Sequence, residues 1–192
     1  MDHFTEGPYY VGLDISVTGT GIVVLDRQLQ IVTAECIKSK PQDDWYARVN
    51  DIVHRIFVPM PDPPFTTVYV EDYAFAAKGQ VFNIAELSGI IKYRLWHDSY
   101  NFLRIPPTSL KKFTTATGTA PKELMMKEVY KRYGVDFNDN NVADAYALAR
   151  MGYTITMQVN VPQYQKDAIK NVWKNNKITD MVWASRTEWA RT

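Results

Sequence analysis

The sequence predicts a mixed α/β domain in which a sheet of antiparallel and parallel strands is flanked by helices. Three short β-rich segments near the start of the chain follow one another with only short turns between them, which is typical of antiparallel strands. Two later β-rich segments are separated by a stretch with apolar residues at helical spacing. A helix between two strands favours parallel pairing through a right-handed crossover.

Each predicted strand is rich in β-branched or aromatic residues and is bounded by turn residues. The predicted strands are residues 9–15, 22–25, 31–37, 67–71 and 102–105. The turn "SVTGTG" between the first two strands contains two glycines, which we expect to supply unusual backbone angles. In the fourth strand, alternation predicts Val68 and Val70 on one face and Tyr69 and Glu71 on the other.

The predicted helices have apolar residues every three or four positions. They are residues 45–56, 82–96, 123–133, 142–151 and 163–173, with one or two further helical turns at 109–115. In the second helix, Ile84, Leu87, Ile91 and Leu95 form an apolar stripe. The helices and the strands together predict three antiparallel strands, a parallel portion and helices outside the sheet.

The composition is that of an ordinary globular protein, with 46% hydrophobic and 22% charged residues. The length of 192 residues suits one domain, at 1–152, with a C-terminal extension at 153–192 that is partly helical. Cys36 is the only cysteine, which excludes an intrachain disulfide and fits a reducing compartment. Since the sequence has no bilayer-spanning segment and no signal-peptide pattern, we expect a cytoplasmic protein without membrane contact.

Charge is distributed unevenly, although the formal net charge is only +1. Residues 1–103 contain 8 Lys and Arg against 13 Asp and Glu, a balance of −5. Residues 104–132 contain 7 against 2, a balance of +5, and residues 163–192 contain 6 against 3. A basic segment beside an acidic one suits a metal-dependent nuclease, in which lysines bind phosphates and carboxylates bind the metal. Solvated helix faces are the alternative interpretation.

Three acidic residues lie where a buried strand or helix is predicted. Asp14 is in the first strand, Glu71 ends the fourth strand, and Asp144 lies in an apolar helix. A buried carboxylate needs a proton, a cation or a metal, so three of them in one fold indicate a shared site for Mg²⁺ or Mn²⁺. The alternatives are that Glu71 and Asp72 end a strand at the surface and that Asp144 pairs with a neighbouring Lys or Arg.

Four segments, in order, resemble the motifs of RuvC-like Holliday-junction resolvases, which belong to the ribonuclease H-like superfamily. They are "VGLDISVTGTGIVVLD", "VYVEDYAF", "IPPTSLKKFTTATGTAPKELMMKEVYKRYG" and "NNVADAYALARMG". The pattern is more similar to bacteriophage members than to the cellular enzymes, and a phage protein of this kind acts in the host cytoplasm. The resemblance covers residues 8–152 and implies a ribonuclease H-like fold, whereas the extension lies outside it.

The resemblance also implies roles for single residues. The metal-binding carboxylates and the catalytic lysine would be Asp14, Glu71, Asp144 and Lys122. The position three residues before the last Asp is often Asp or His in the cellular enzymes, and here it is Asn141, which shares a helical face with Asp144. An amide oxygen is a neutral and weaker ligand, so Asp139 and Asn140 are further candidates for the fourth metal ligand.

A further set of residues is predicted to contact DNA. They are Ser16, Thr18, Tyr73, Phe75, Lys111, Lys112 and Lys122. The lysines are expected to bind phosphates, and the aromatic side chains to stack on bases at an opened junction. For the two hydroxyl residues the alternative is a turn that needs small polar residues, and for Phe75 it is core packing.

The function that the resemblance implies is endonucleolytic resolution of four-way DNA junctions. Two Mg²⁺ ions, or Mn²⁺ in their place, would activate a water and stabilise the leaving oxygen, giving nicks with 5′-phosphate and 3′-hydroxyl ends. Because a junction is nearly two-fold symmetric, a homodimer is implied, with the helix at 82–96 as the candidate interface. Two alternatives are a ribonuclease H-like nuclease that acts on other nucleic acids and a junction-binding protein with weakened catalysis. A third is an actin-like or sugar-kinase ATPase, because the segment "GLDISVTGTGIVVLD" also resembles the phosphate-binding hairpin of those proteins.

Overall fold

The computed structural model describes residues 7–41, 44–72 and 81–176. Within these ranges the chain forms a five-stranded sheet and six α-helices. In chain order the elements are β1 (Tyr9–Asp14), β2 (Gly19–Leu25), β3 (Ile31–Lys38), α1 (Trp45–Phe57), β4 (Thr66–Glu71), α2 (Val81–His97), β5 (Asn101–Ile105), α3 (Pro107–Thr115), α4 (Lys122–Tyr133), α5 (Asn140–Thr156) and α6 (Gln163–Asn175). A short 3₁₀ turn, Pro63–Phe65, precedes β4.

The sheet has the strand order β3-β2-β1-β4-β5. β1 pairs with β2, and β2 with β3, in antiparallel orientation. β4 is parallel to both of its neighbours, β1 and β5, and α2 makes the connection from β4 to β5. The predicted fold class is therefore confirmed, including the meander of antiparallel strands and the parallel portion that follows it.

Each face of the sheet packs against its own set of helices. On one face, Val68 and Val70 of β4 join a core with apolar side chains of α1 and α2, including Ile52 and Leu87. On the other face, Tyr69 joins a core with side chains of α3, α4, α5 and α6. β1 and β2, at the centre of the sheet, are buried along their whole length. The alternation predicted for β4 is confirmed for these three positions.

Both glycines of "SVTGTG" lie in β2 and not in a turn. A Cβ added at Gly21 would lie 2.0 Å from the backbone oxygen of Asn141, and one added at Gly12 of β1 would lie 1.9 Å from that of Ala145. Among the described glycines only Gly134 has a positive φ. The prediction of unusual backbone angles in "SVTGTG" is therefore wrong, because its glycines instead allow α5 to lie directly on the sheet.

α3 and α5 are longer than predicted. α3 is a helix of nine residues, and α5 continues past its predicted end at residue 151 as far as Thr156. The continuation follows from burial, because Met151, Gly152 and Ile155 still face the core. The division of the chain at residue 152 stays a prediction.

α6 is attached both to the core and to the edge of the sheet. Its side chains Ala168, Ile169 and Val172 are buried in the same core as α5. Just after α6, the side-chain amide of Asn176 donates to the backbone oxygen of Arg104 at 2.8 Å and accepts from its N–H at 3.2 Å. This side chain therefore pairs with β5 as a further strand would. No helix in the described part of the chain is long and apolar enough to cross a membrane.

Candidate metal and nucleic-acid site

The C-terminal ends of β1 and β4 meet at one edge of the sheet, and each strand ends in an acidic residue. Leu13 pairs with Val70 in parallel register, so the residues that follow, Asp14 and Glu71, lie side by side. α5 lies across β1 and β2, and it brings the carboxyl group of Asp144 close enough to interact electrostatically with Asp14 and with Glu71. The three acidic residues predicted from the sequence are thus brought together, and we call them the acidic centre.

Asp14 and Glu71 share a hydrogen bond between their carboxyl groups, which requires a proton on one of them. Burial raises the pKa of Asp14, whereas the hydrogen bond to Glu71 and the charge of Lys122 act in the opposite direction. Burial and then the negative charge of Asp14 raise the pKa of Glu71 well above its usual range. We place the shared proton on Glu71, because both its hydrogen bond to Asp14 and the charge of Asp14 raise its pKa.

Asp144 is also held partly protonated near neutral pH. Burial, and then the charge of Asp14, raise the pKa of Asp144 to about 7, against the opposing effect of Lys122 and Lys111. The alternative is that a neighbouring Lys or Arg pairs with Asp144. Two lysines do lie near Asp144, but they lower its pKa by less than burial and Asp14 raise it, so this alternative holds only in part.

Three carboxyl groups with raised pKa values form an environment in which a divalent cation would take the place of protons. Their oxygens are the ligands that Mg²⁺ and Mn²⁺ prefer. Within the described ranges, no group of three or more His, Cys, Asp or Glu is gathered closely enough to form a metal centre. The chemistry of the three carboxyl groups fits a divalent cation, whereas their spacing does not form a ready-made metal centre. The metal-binding role of each acid therefore stays a prediction.

The predicted fourth ligand, Asn141, is engaged with Cys36. The Asn141 Nδ2 lies 3.9 Å from the Cys36 Sγ, a long and weak contact. Asp139 is the N-cap of α5 and accepts a 2.9 Å hydrogen bond from the backbone N–H of Asn141. The charge of Asp139 raises the pKa of Asp14, so this acid acts on the acidic centre. Asn140, the remaining candidate, is exposed.

The turn between β1 and β2 is closed by its own hydroxyl groups. The Ser16 Oγ lies 3.4 Å from the Thr18 Oγ1 and accepts a hydrogen bond of 3.4 Å from the Thr18 N–H. The Thr20 Oγ1 donates to the backbone oxygen of Ser16 at 2.7 Å. These bonds fit the alternative of a turn that needs small polar residues. Thr18 is exposed, and DNA contact by Ser16 and Thr18 stays a prediction.

The same turn is held by Arg48, a residue that sequence reasoning missed. Arg48 is only 7% exposed, and its Nη2 donates to the backbone oxygen of Val17 at 2.9 Å. Its Nε donates to the Ser39 Oγ at 2.8 Å. The only signal in the sequence was one basic residue beside the apolar positions of α1, which does not reveal these partners.

The predicted phosphate-binding lysines divide between two places. Lys111 and Lys122 both lower the pKa of Asp144, so both lie near the acidic centre. Lys112 points away from it toward α6, where it forms an ion pair of 3.2 Å with Asp167. The structure therefore brings Lys111 and Lys122, but not Lys112, to the acids.

Asp72, the residue after β4, has different surroundings from Glu71, the last residue of the strand. Asp72 forms an ion pair of 3.2 Å with Lys92 of α2, whereas Glu71 turns toward the acidic centre. The alternative of two acids at the surface thus does not fit Glu71, whose pKa is raised chiefly by burial. The predicted stacking residues Tyr73 and Phe75 lie outside the described residues.

Comparison with known proteins places this geometry in a known fold. No protein-family model matches the chain, and no curated protein matches it. The structure of Thermus thermophilus RuvC has a TM-score of 0.65 and 20% sequence identity, covering 78% of this chain and 96% of that chain. The structure of T. thermophilus RuvC in complex with a Holliday junction substrate has a TM-score of 0.59 and 19% sequence identity, covering 78% of this chain and 95% of that chain.

At this level of identity the likeness establishes the fold and not the activity. It agrees with the observed strand order, with β1 between an antiparallel and a parallel neighbour. The chain therefore has the ribonuclease H-like fold of RuvC.

Proposed function

We propose that this chain is a metal-dependent endonuclease that resolves four-way DNA junctions. The observation that carries the proposal is the meeting of Asp14, Glu71 and Asp144 at one edge of the sheet, beside Lys111 and Lys122. Buried acids that must share protons destabilise a fold, so their juxtaposition favours a functional site. The fold of RuvC, one structure of which holds a Holliday junction substrate, supports a DNA junction as the substrate.

The acidic centre would hold Mg²⁺, with Mn²⁺ as a substitute, and Asp139 would add negative charge beside it. Two bound ions would supply an activated water and stabilise the leaving 3′-oxygen, giving 5′-phosphate and 3′-hydroxyl ends. Lys122, exposed at the start of α4, and Lys111 would offset the charge of the scissile phosphate. Ser16 and Thr18 would contact a neighbouring phosphate.

We also propose that two copies of the chain form a homodimer through the outer face of α2, which would supply two active sites to one junction. The apolar stripe of the predicted interface helix packs in the core, where Leu87 and Ile91 are 0% exposed, so only the outer face of this helix is open to a second copy. The outer face carries Phe82, Tyr93 and Trp96, which are 86%, 62% and 69% exposed. A second copy that covers these side chains would remove large apolar groups from water.

Sedimentation velocity tests this dimer. The double variant Tyr93→Glu/Trp96→Glu is expected to sediment as a monomer, while Tyr46→Glu, which changes an aromatic side chain of similar exposure on α1, remains dimeric. A wild-type protein that is monomeric while it cuts junctions would reject the dimer and leave the nuclease in place.

The decisive experiment for the nuclease is cleavage of a synthetic four-way junction in Mg²⁺ and in Mn²⁺. The wild-type protein is expected to nick the junction, and Asp14→Asn to bind it without cutting. Equal cleavage of a linear duplex would reject junction selectivity, and preferred cleavage of an RNA–DNA hybrid would favour a ribonuclease H-like nuclease on other substrates. Cleavage by Asp14→Asn would reject the acidic centre.

A junction-binding protein with weakened catalysis is the second candidate. It is favoured by the neutral side chain of Asn141, because an amide oxygen is a weaker ligand for a divalent cation than a carboxylate. Tight junction binding by the wild-type protein, with no nicks in either metal ion, would support this candidate over the nuclease.

A further inference from the structure

A polar cleft lies between α3 and α6, with a volume of about 420 Å³. Its lining includes Ser109 and Lys112 from α3, and Asp167, Lys170, Asn171 and Lys174 from α6. Hydroxyl, amide and charged groups of this kind suit an anionic or strongly polar ligand and not an apolar one. The cleft is also far larger than one phosphate group requires, so an extended ligand fits it better than a single small anion.

The cleft carries an excess of positive charge. Three lysines line it against one aspartate, a balance of +2. Lys170 and Lys174 lie one helical turn apart and are both exposed. Asp167 lies near enough to Lys170 for the two charges to interact, but neither lysine is held in an ion pair within the described ranges. Two such cations on one face of a helix are suited to adjacent phosphates of a polymer.

Asp167 orients the third lysine without burying it. The ion pair between Lys112 and Asp167 measures 3.2 Å, and the two side chains are 37% and 45% exposed. The Gln163 Nε2 also donates to Asp167, at 2.9 Å. Exposed pairs of this kind are weak, so a phosphate can replace the carboxylate as the partner of Lys112.

The walls of the cleft are fixed to one another. The Asn171 Nδ2 donates to the Ser109 Oγ at 2.7 Å, which joins α6 to α3. The buried Gln165 Nε2 donates to the backbone oxygen of Phe113 at 3.0 Å, which joins the same helices at a second point. The lysines therefore stand on a preformed surface, which lowers the entropy lost on binding.

We infer that this cleft binds the sugar–phosphate backbone of a DNA arm, outside the scissile phosphate; the inference rests on the proposed function. Lys111 and Lys112 are consecutive, and one faces the acidic centre while the other faces the cleft. A helix is about 10 Å across, and a DNA strand advances about 3.4 Å per nucleotide. About three nucleotides would therefore separate a phosphate at the acids from one in the cleft. α3 lies within residues 8–152, the segment with the resolvase motifs, whereas α6 lies outside it, so the extension supplies one of the two walls of this contact.

The test measures binding of a labelled four-way junction in EDTA over a range of salt concentrations. Lys170→Ala/Lys174→Ala is expected to weaken binding about tenfold at 0.1 M salt and to reduce the salt slope by about 2, because each phosphate contact contributes about 0.9 to the slope. Lys166→Ala is the matched control, since Lys166 is on α6 but lines a different cavity, and it should bind as the wild-type protein does. Asp167→Asn should tighten binding about threefold, because it removes the anion that competes for Lys112.

The outcomes separate this inference from the proposed function. The inference is overturned if the double variant matches Lys166→Ala in affinity and salt slope, or if Asp167→Asn weakens binding; nicking by the wild-type protein would then still stand. If the lysine and aspartate variants behave as expected but the wild-type protein cuts no junction in Mg²⁺ or Mn²⁺, the cleft is supported and the nuclease is rejected. Absence of junction binding by the wild-type protein overturns both.

Discussion

The two sides of α3 hold charge in opposite ways. In the acidic centre, burial raises the pKa values of three carboxyl groups, and the nearby lysines offset this only in part. In the α3–α6 cleft, the lysines are exposed, and the one carboxylate among them has a pKa lowered by hydrogen bonds from Gln163 and Lys112. Burying an ionised group costs free energy, so a cluster of such groups indicates a catalytic site. Exposed charged groups carry little of this cost and are typical of a binding surface.

The largest difference between the two sides of α3 should come from the loss of Asp144, a partly buried acid of the acidic centre. Asp144→Asn is expected to reduce the rate of junction cleavage about a thousandfold, since an amide is a weaker ligand and removes a charge from the centre. Single-turnover cleavage at saturating protein measures this. Asp51→Asn, at an acid on α1 whose side chain is 50% exposed, should cut at the wild-type rate. A loss of less than tenfold in Asp144→Asn would place Asp144 outside the catalytic group.

The next effect concerns stability in the absence of metal. The pKa of Asp144 is about 7 in the folded chain against a usual 3.8, so the folded state binds this proton more tightly than the unfolded state does. Its contribution to stability is complete below about pH 4 and is lost as the pH rises through 7. In EDTA the free energy of unfolding should fall over this range by up to about 4 kcal/mol.

Urea unfolding in EDTA between pH 4.5 and 8 measures this dependence. Asp144→Asn should remove the part of this decrease that comes from Asp144 and leave a smaller decrease from Glu71, whose pKa is also raised. Asp167→Asn, at the exposed acid of the cleft, should leave the whole decrease in place. Adding Mg²⁺ should stabilise the wild-type protein most at the higher pH values, where the carboxylates are ionised. A wild-type curve that does not fall toward pH 8 would contradict the raised pKa.

A smaller effect is expected where α5 lies on the sheet. Gly21→Ala would place a methyl group 2.0 Å from the backbone oxygen of Asn141, so α5 must shift. We expect the free energy of unfolding to fall by about 1–3 kcal/mol, together with a loss of cleavage, because α5 carries Asp144. Gly89→Ala, whose added methyl group meets no heavy atom within 4 Å, should not lower stability. Equal thermal unfolding of both variants would show that the sheet tolerates displacement of α5.

The smallest effect should come from an exposed lysine beside the acids. Lys122→Ala is expected to slow cleavage about tenfold and to change the junction dissociation constant by less, because its charge would act on the phosphate in the transition state. Lys127→Ala, at an exposed lysine of the same helix, is the control. If Lys122→Ala instead weakens binding more than it slows cleavage, Lys122 positions DNA in the way we infer for the cleft.

The fold and the meeting of the three acids could be predicted from the sequence, since both depend on local pattern and strand order, whereas the roles of these acids stay predictions. Asp14 stands out as a carboxylate within an apolar strand, and a parallel neighbour that ends in Glu71 must place its carboxyl group nearby. The roles of Lys111 and Lys112 could not be separated in the same way. Adjacent residues on a helix point about 100° apart, and only the position of α3 shows which of them faces the acids.

Other features depend on contacts between distant segments. The local pattern predicts a turn at the glycines of β2, because the close approach of α5 leaves no signal in it. The contacts of Arg48 cannot be predicted from the local pattern either, since its partners lie in the β1–β2 turn and after β3. The exposed aromatic face of α2 is not apparent from the sequence, because the core stripe on the same helix accounts for its apolar residues.

The pairing of Asn176 with Arg104 has a consequence for how the chain behaves in concentrated solution. Among the residues that the structure describes, β5 is the last strand at its side of the sheet, and the backbone groups at such a position can recruit a strand from another molecule. The Asn176 amide occupies the N–H and the oxygen of Arg104 and so blocks that recruitment at one point. A chain shortened before residue 176 would lose these two hydrogen bonds, so we expect it to associate edge to edge more readily than the full chain.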